Sequence, residues 1–122
     1  MVDRNDQLSV FPAFFRVEGK QVAVVGNGDE ALAKLRLLLN TRAELVLIAD
    51  RPEAGLMGLV IQHDIRHIAQ AFAPQLIEGM TLVFAATGDH EADRRIAEAA
   101  RALKIPANAV DQPEQCDFLT PA

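Results

Sequence analysis

The stretch Val22-Ala23-Val24-Val25-Gly26-Asn27-Gly28-Asp29-Glu30-Ala31 decides the fold, because an apolar strand runs directly into Gly-x-Gly-x-x-Ala and from there into a helical pattern. Gly26 suits the tight turn that ends a strand. Gly28 lets backbone come close to a pyrophosphate, and the small Ala31 lets the following helix pack closely on a sheet. The first-turn N–H groups of that helix are then free for phosphate. Asn27, between the glycines, adopts left-handed backbone more readily than most residues. This is the layout of a dinucleotide-binding turn, although the same glycines also serve strand-to-helix turns that bind nothing.

Downstream, Leu32, Leu35, Leu38 and Leu39 recur at helical spacing, which predicts a helix over 29–40, and 44–49 reads as a second strand ending in Asp50. A carboxylate about 20 residues beyond the glycines accepts hydrogen bonds from the adenosine ribose and repels a 2′-phosphate, so Asp50 favours NAD over NADP. Arg51 opposes that preference, because a guanidinium pairs with phosphate. Asp50 also fits as a helix cap ahead of Pro52.

The first strand itself is expected over 20–25. Residues 52–62 are mixed, since Leu56, Leu59 and Val60 suit a short helix while Gly55 and Gly58 weaken it. A third strand is expected over 65–69 and a helical turn over 74–76. The run 81–87 is apolar without alternation, as in a strand covered on both faces. Asp89 then caps a helix over 90–103, with Ile96, Ala99, Ala100 and Leu103 inward, and 106–110 forms a last strand delivering Asp111. Strands alternating with helices imply right-handed crossovers, hence a single α/β domain with a Rossmann-like, doubly wound parallel sheet of about five strands. Upstream, the aromatic patch 10–15 is expected to pack on the sheet edge or support a pocket.

The chain has 122 residues, half of them hydrophobic, which suffices for one core. A net charge of -5 with no Lys/Arg cluster argues against a nucleic-acid surface. No apolar run approaches the ~20 residues of a membrane span, so no membrane association is expected. The single Cys116 excludes an intramolecular disulfide, and no charged leader opens the chain, so a cytoplasmic location is the expectation. His63, His67 and His90 lack a metal-ligand spacing, and Cys116 has neither a nearby partner nor a basic neighbour; neither metal ligation nor a nucleophilic cysteine is expected.

In an open parallel sheet, ligands bind beyond the carboxyl ends of the strands, so Gly26 to Gly28, Ala85 to Gly88 and Asp111 are expected to converge. Ala85, Ala86 and Thr87 are small enough for a nicotinamide or its ribose to lie against the backbone, and fit equally a plain helix-entry turn. Asp111 is the acid placed directly at the end of the last strand, a candidate general acid/base, or a carboxylate capping the turn around Pro113.

Together these residues resemble the N-terminal domain of siroheme synthase and the stand-alone precorrin-2 dehydrogenases. The matching pieces are Phe11-Pro12, Gly19 through Asp29, Ala33-Lys34 with Leu37-Leu38-Leu39, Ala85-Ala86-Thr87, and Asn108-Ala109-Val110-Asp111 with Phe118 and Pro121. The resemblance implies NAD-dependent oxidation of precorrin-2, a tetrapyrrole, to sirohydrochlorin in siroheme biosynthesis. It also implies insertion of ferrous iron by many members, and a homodimer. Asp111 would be the acid/base residue. Asp29 and Glu30 would fall where backbone groups hold the cofactor phosphates and adjacent ribose, and Asp50 with Arg51 at the adenosine end. Residues 1–122 would then be the NAD-binding domain of a longer chain, without its dimerisation and helical domains and with little turnover alone, since this acidic segment offers few basic contacts for a substrate with many carboxylates. The alternative is a non-catalytic NAD(H)-sensing regulatory domain of a potassium transport system, which shares the glycine turn and a sequence like Ala86-Thr87-Gly88-Asp89. A sensor has no need of Asp111 beside the nicotinamide.

Overall fold

A computed structural model describes residues 6–120, so Pro121 of the signature above lies outside the described residues. Strands β1 (Gln21–Val25), β2 (Glu44–Ile48), β3 (Arg66–Ile68), β4 (Leu82–Ala85) and β5 (Ala107–Ala109) alternate with helices α1 (Asp29–Leu38), α2 (Ala54–Gln62) and α3 (His90–Ala102). The sheet is parallel throughout, in the order β3-β2-β1-β4-β5. The chain leaves β1, winds outward through β2 and β3, and returns to the other side of β1 for β4 and β5. That reversal between β1 and β4 opens a crevice at the carboxyl ends of the strands.

Successive strand residues point to opposite faces, so an apolar run such as Val22-Ala23-Val24-Val25 supplies two cores at once. Val22, Val24, Leu47 and Phe84 meet Leu35, Leu56 and Val60 of α1 and α2. Ala23, Val25, Val83 and Ala107 meet Ile96, Ala97 and Ala100 of α3, with Ile77 from a 3₁₀ turn at Pro74–Ile77. The register pairs Val25 with both Ile48 and Ala85, Ile48 with Ile68, and Ala85 with Ala109. Gly26, Ala49, Ala86 and Val110 therefore leave the sheet at one level, forming its functional rim.

Asp89 caps α3 by accepting a hydrogen bond from the Glu91 N–H, as its residue type favours. The region 52–62 is a helix despite two glycines, because Leu56 and Val60 are buried against the sheet while Gly55 and Gly58 face open space. Its N-cap is Glu53. Asp50 is therefore no helix cap.

Two other expectations need correction. Leu103 is 40% exposed, because α3 ends one residue earlier; Asp93 and Ala97 take the buried positions instead. The patch 10–15 does not pack as a unit: Phe11 and Phe14 are fully exposed, and Phe15 touches the fold through an edge-on contact with Phe118. The tail carries order that no periodicity announces. Phe118 also meets Phe84 edge-on, Asn108 Nδ2 donates to the Phe118 carbonyl at 2.9 Å, and Asp117 accepts from the Ala107 N–H at 2.9 Å.

Candidate functional site

At the rim, the chain turns from β1 into α1 at Gly26, whose φ of 155° suits glycine. A Cβ on Gly26 would stand 2.0 Å from the Ala86 carbonyl oxygen, so the turn is compact because β4 closes on it. Ala31 is fully buried beneath the same point. Asn27 does not adopt left-handed backbone; Gly26 alone carries the unusual conformation. Gly28 is the N-cap of α1 in extended backbone and brings no side-chain acceptor, which leaves the first-turn N–H groups for a ligand.

A cavity of about 610 Å³ opens between these rim residues and α3. Gly26, Asn27, Asp50, Arg51 and Thr87 all line it, together with Gln70, Phe72, Asp89 and Arg95. Its size falls within the range of small-molecule sites. His67 supports the Asp50 side: its Nε2–H donates to the Ala49 carbonyl at 2.8 Å. Ala86 is buried, and meets the site through its carbonyl rather than its side chain.

Asp29 and Glu30 do not line this cavity; they are the acids of the first turn of α1, where they favour the helix dipole. Glu53 is a participant that sequence reading missed. Its N–H donates to the Asn27 carbonyl at 2.8 Å, tying α2 to the glycine turn, and its carboxylate lies 3.2 Å from where a Cβ of Gly28 would be. An acid therefore occupies the approach to the α1 N-terminus. No spacing rule marks it, since the contact comes from the packing of α2 beside α1.

Asp111 stands apart from this cavity. It follows β5 in left-handed backbone, φ 61°, which aspartate tolerates better than most residues, and it is exposed. It lines a second cavity of about 300 Å³ with Lys34, Asn108, Cys116 and Thr120. The two cavities share no lining residue: the β1 and β4 ends meet at the first, and the β5 end lines the second. The cause is topological: β5 is the edge strand beyond β4, on the far side of the crevice. Among the described hydrogen bonds, the Asp111 carboxylate makes none, so it does not cap the Pro113 turn.

Lys34 is the only basic residue among the described residues of this second cavity. Its Nζ donates to Thr120 Oγ1 at 3.3 Å and stands 5.7 Å from the centroid of the Phe84 ring. No carboxylate lies within 4.0 Å of it among the described residues. Cys116 therefore does have a basic neighbour, contrary to the sequence expectation. Burial nonetheless pushes its thiol up from the ordinary value, with Asp117 and Glu114 adding to the rise and Lys34 opposing it. The thiol is thus protonated at neutral pH and unreactive. Its alkylation by iodoacetamide should accelerate only as pH rises past the ordinary cysteine range; an inflection at or below that of a free cysteine peptide would contradict the burial described here.

Among the described residues, no group of three or more His, Cys, Asp or Glu is placed to hold a metal ion, and no helix is long and apolar enough to cross a membrane. Comparison with known proteins adds to this geometry. A protein-family model described as "Putative NAD(P)-binding" matches residues 13–122. The chain is 43% identical over 116 residues to the siroheme synthase of Gluconacetobacter diazotrophicus, covering 92% of this chain and 25% of that protein. It is 35% identical over 116 residues to the siroheme synthase of Nitrosomonas europaea, covering 94% and 24%. Among solved structures, one titled "SirC, precorrin-2 dehydrogenase" matches with a TM-score of 0.74 at 17% identity, over 93% of this chain and 55% of that one. That likeness shows the fold, a Rossmann-like parallel sheet. The chain spans about a quarter of the length of the curated relatives it matches.

Proposed function

This chain belongs to the NAD(P)-binding family whose model covers residues 13–122, and on that premise we propose that it is the NAD-binding domain of a precorrin-2 dehydrogenase of siroheme biosynthesis. The observation that carries this is the rim: a glycine turn, a strand-end acid and the β4 turn around one cavity, with Asp111 at the next strand end. The siroheme synthases at 43% and 35% identity support the choice of reaction. Iron insertion, a homodimer and a cytoplasmic location are part of the same proposal and rest on the resemblance read from the sequence.

The residues present fit a dinucleotide. Gly26 and Gly28 leave backbone bare, no side-chain cap occupies the first-turn N–H groups of α1, and Asp50 lines the cavity with a carboxylate suited to ribose hydroxyls. The Glu53 carboxylate beside Gly28 is the exposed end of a flexible side chain, so a bound phosphate would require it to take another rotamer. When bound, NAD supplies the acceptor for the hydride that the substrate gives up. Asp111, an exposed carboxylate at the edge-strand end, takes the proton that the same substrate loses. Lys34, without a carboxylate partner among the described residues, provides a cation for the carboxylates of a tetrapyrrole beside Asp111.

Calorimetric titration with NAD and NADP tests the cofactor side. NAD should bind tighter, and Asp50→Ala should narrow the difference by about tenfold, the worth of one charge-assisted hydrogen bond. Tighter binding of NADP by the wild type would mean that Arg51 and Arg95 dominate the cavity.

A further inference from the structure

Asp93 is the only fully buried carboxylate among the described residues, and nothing proposed above uses it. It sits in the first turn of α3 with both of its hydrogen bonds on one oxygen. Oδ1 accepts from the Thr87 backbone N–H at 2.9 Å and from the Thr87 hydroxyl at 2.7 Å. Oδ2 has no partner, and is the only buried side-chain polar atom so placed among the described residues. Burying a carboxylate with half its capacity unmet is costly, and such groups cluster where function demands them.

The consequence falls on Thr87. Its hydroxyl has one proton, and two acceptors lie near: Asp93 Oδ1 at 2.7 Å and the Asp89 carbonyl at 3.2 Å. The shorter bond, to an ionisable acceptor, takes the proton. The Asp89 N–H meanwhile donates to Thr87 Oγ1 at 3.1 Å. What Thr87 retains for the cavity it lines is a lone pair. Thr87 also follows Ala86, whose carbonyl closes on Gly26, so the same clamp holds β4 against the glycine turn.

We propose that Asp93 is a positioning residue that fixes Thr87 as a hydrogen-bond acceptor in the cofactor cavity, where Thr87 selects a donor group of the dinucleotide, a ribose hydroxyl or the carboxamide. This rests on the NAD reading of that cavity. A neutral acceptor at position 93 that keeps the oxygen in place serves the same purpose, so the geometry rather than the charge is what matters.

The test is calorimetric titration of the chain with NAD and with ADP-ribose, for wild type, Thr87→Val, Thr87→Ser, Asp93→Asn, Asp93→Ala and the double variant Thr87→Val/Asp93→Ala. Thr87→Val should weaken NAD binding by about tenfold and Thr87→Ser should preserve it. Asp93→Asn should stay within about threefold of wild type, whereas Asp93→Ala should lose as much as Thr87→Val, and the double variant no more than either. A merely structural role for Asp93 would not give that non-additivity. If Asp93→Ala does not fold, Asp93→Asn against Thr87→Val carries the comparison. A loss shared by NAD and ADP-ribose identifies a ribose hydroxyl as the donor, and a loss with NAD alone identifies the nicotinamide half. Wild-type affinity in Thr87→Val, or an Asp93→Asn loss equal to that of Thr87→Val, would overturn the assignment while leaving the cofactor reading intact. No affinity of the wild type for either ligand would overturn both.

Discussion

In a full-length siroheme synthase carrying this chain as its matched segment, Asp111→Asn is expected to lower NAD-dependent turnover of precorrin-2 by about 10²–10⁴-fold, the usual worth of a positioned general acid/base, while NAD affinity stays at the wild-type level. Asparagine is the informative replacement because the position is left-handed, φ 61°, where Asp and Asn are tolerated and alanine is strained by about 1–2 kcal/mol. Alanine would mix a backbone effect with the loss of the carboxylate. Asp111 is exposed and makes no described side-chain hydrogen bond, so the asparagine variant should also melt with the wild type. The separation of the two cavities makes the division sharp: Asp111 lines one with Lys34, and the dinucleotide residues line the other. A fall in NAD affinity comparable to the fall in turnover would place Asp111 on the cofactor side instead. Turnover at the wild-type level would remove it from the chemistry.

Gly26→Ala is expected to destabilise the fold by on the order of 3 kcal/mol and to abolish NAD binding with it. The new methyl would lie 2.0 Å from the Ala86 carbonyl oxygen and 2.6 Å from its carbon, and backbone cannot swing aside as a side chain would. The Ala86 N–H is bonded to the Val25 carbonyl at 2.8 Å and the next residue is held by Asp93, so β4 is fixed on both sides of the collision. Gly28→Ala makes the matched control. The atoms nearest its methyl would be those of the flexible Glu53 carboxylate, from 3.2 Å, in extended backbone open to any residue. It should fold normally and lose affinity for NAD alone. Equal melting of Gly26→Ala and wild type in denaturant would refute the close approach of β4 to the turn.

The doubly wound sheet was legible because its cause is local. Val22 to Ala31 and the buried run ending at Ala85 carry strand, turn and helix signals within a few residues of one another, and alternation of elements then restricts the topology. The half of the site built from Gly26, Asn27, Asp50, Arg51 and Thr87 was legible for the same reason, since each sits at a strand end. What stayed hidden depends on contacts distant in sequence. Asp93 reads as one more charge on a polar helix until its neighbour Thr87 is placed against it. Glu53 is exposed, and its link to the glycine turn shows only once α2 packs beside α1. Phe118 lies in a tail without periodicity, yet it is held edge-on by Phe15 and Phe84. That Asp111 lines a cavity other than that of the glycine turn was not legible, because a strand end reports a level along the sheet, not a place across it.

The role proposed for this chain is to supply the cofactor half of a dehydrogenase acting on a tetrapyrrole. The most direct test replaces the matched segment of the Gluconacetobacter diazotrophicus siroheme synthase with this chain and follows NADH absorbance on addition of precorrin-2 and NAD. The expected result is NADH formation that requires both compounds and is lost in Asp111→Asn. A graft that binds NAD but forms no NADH from precorrin-2 would contradict it.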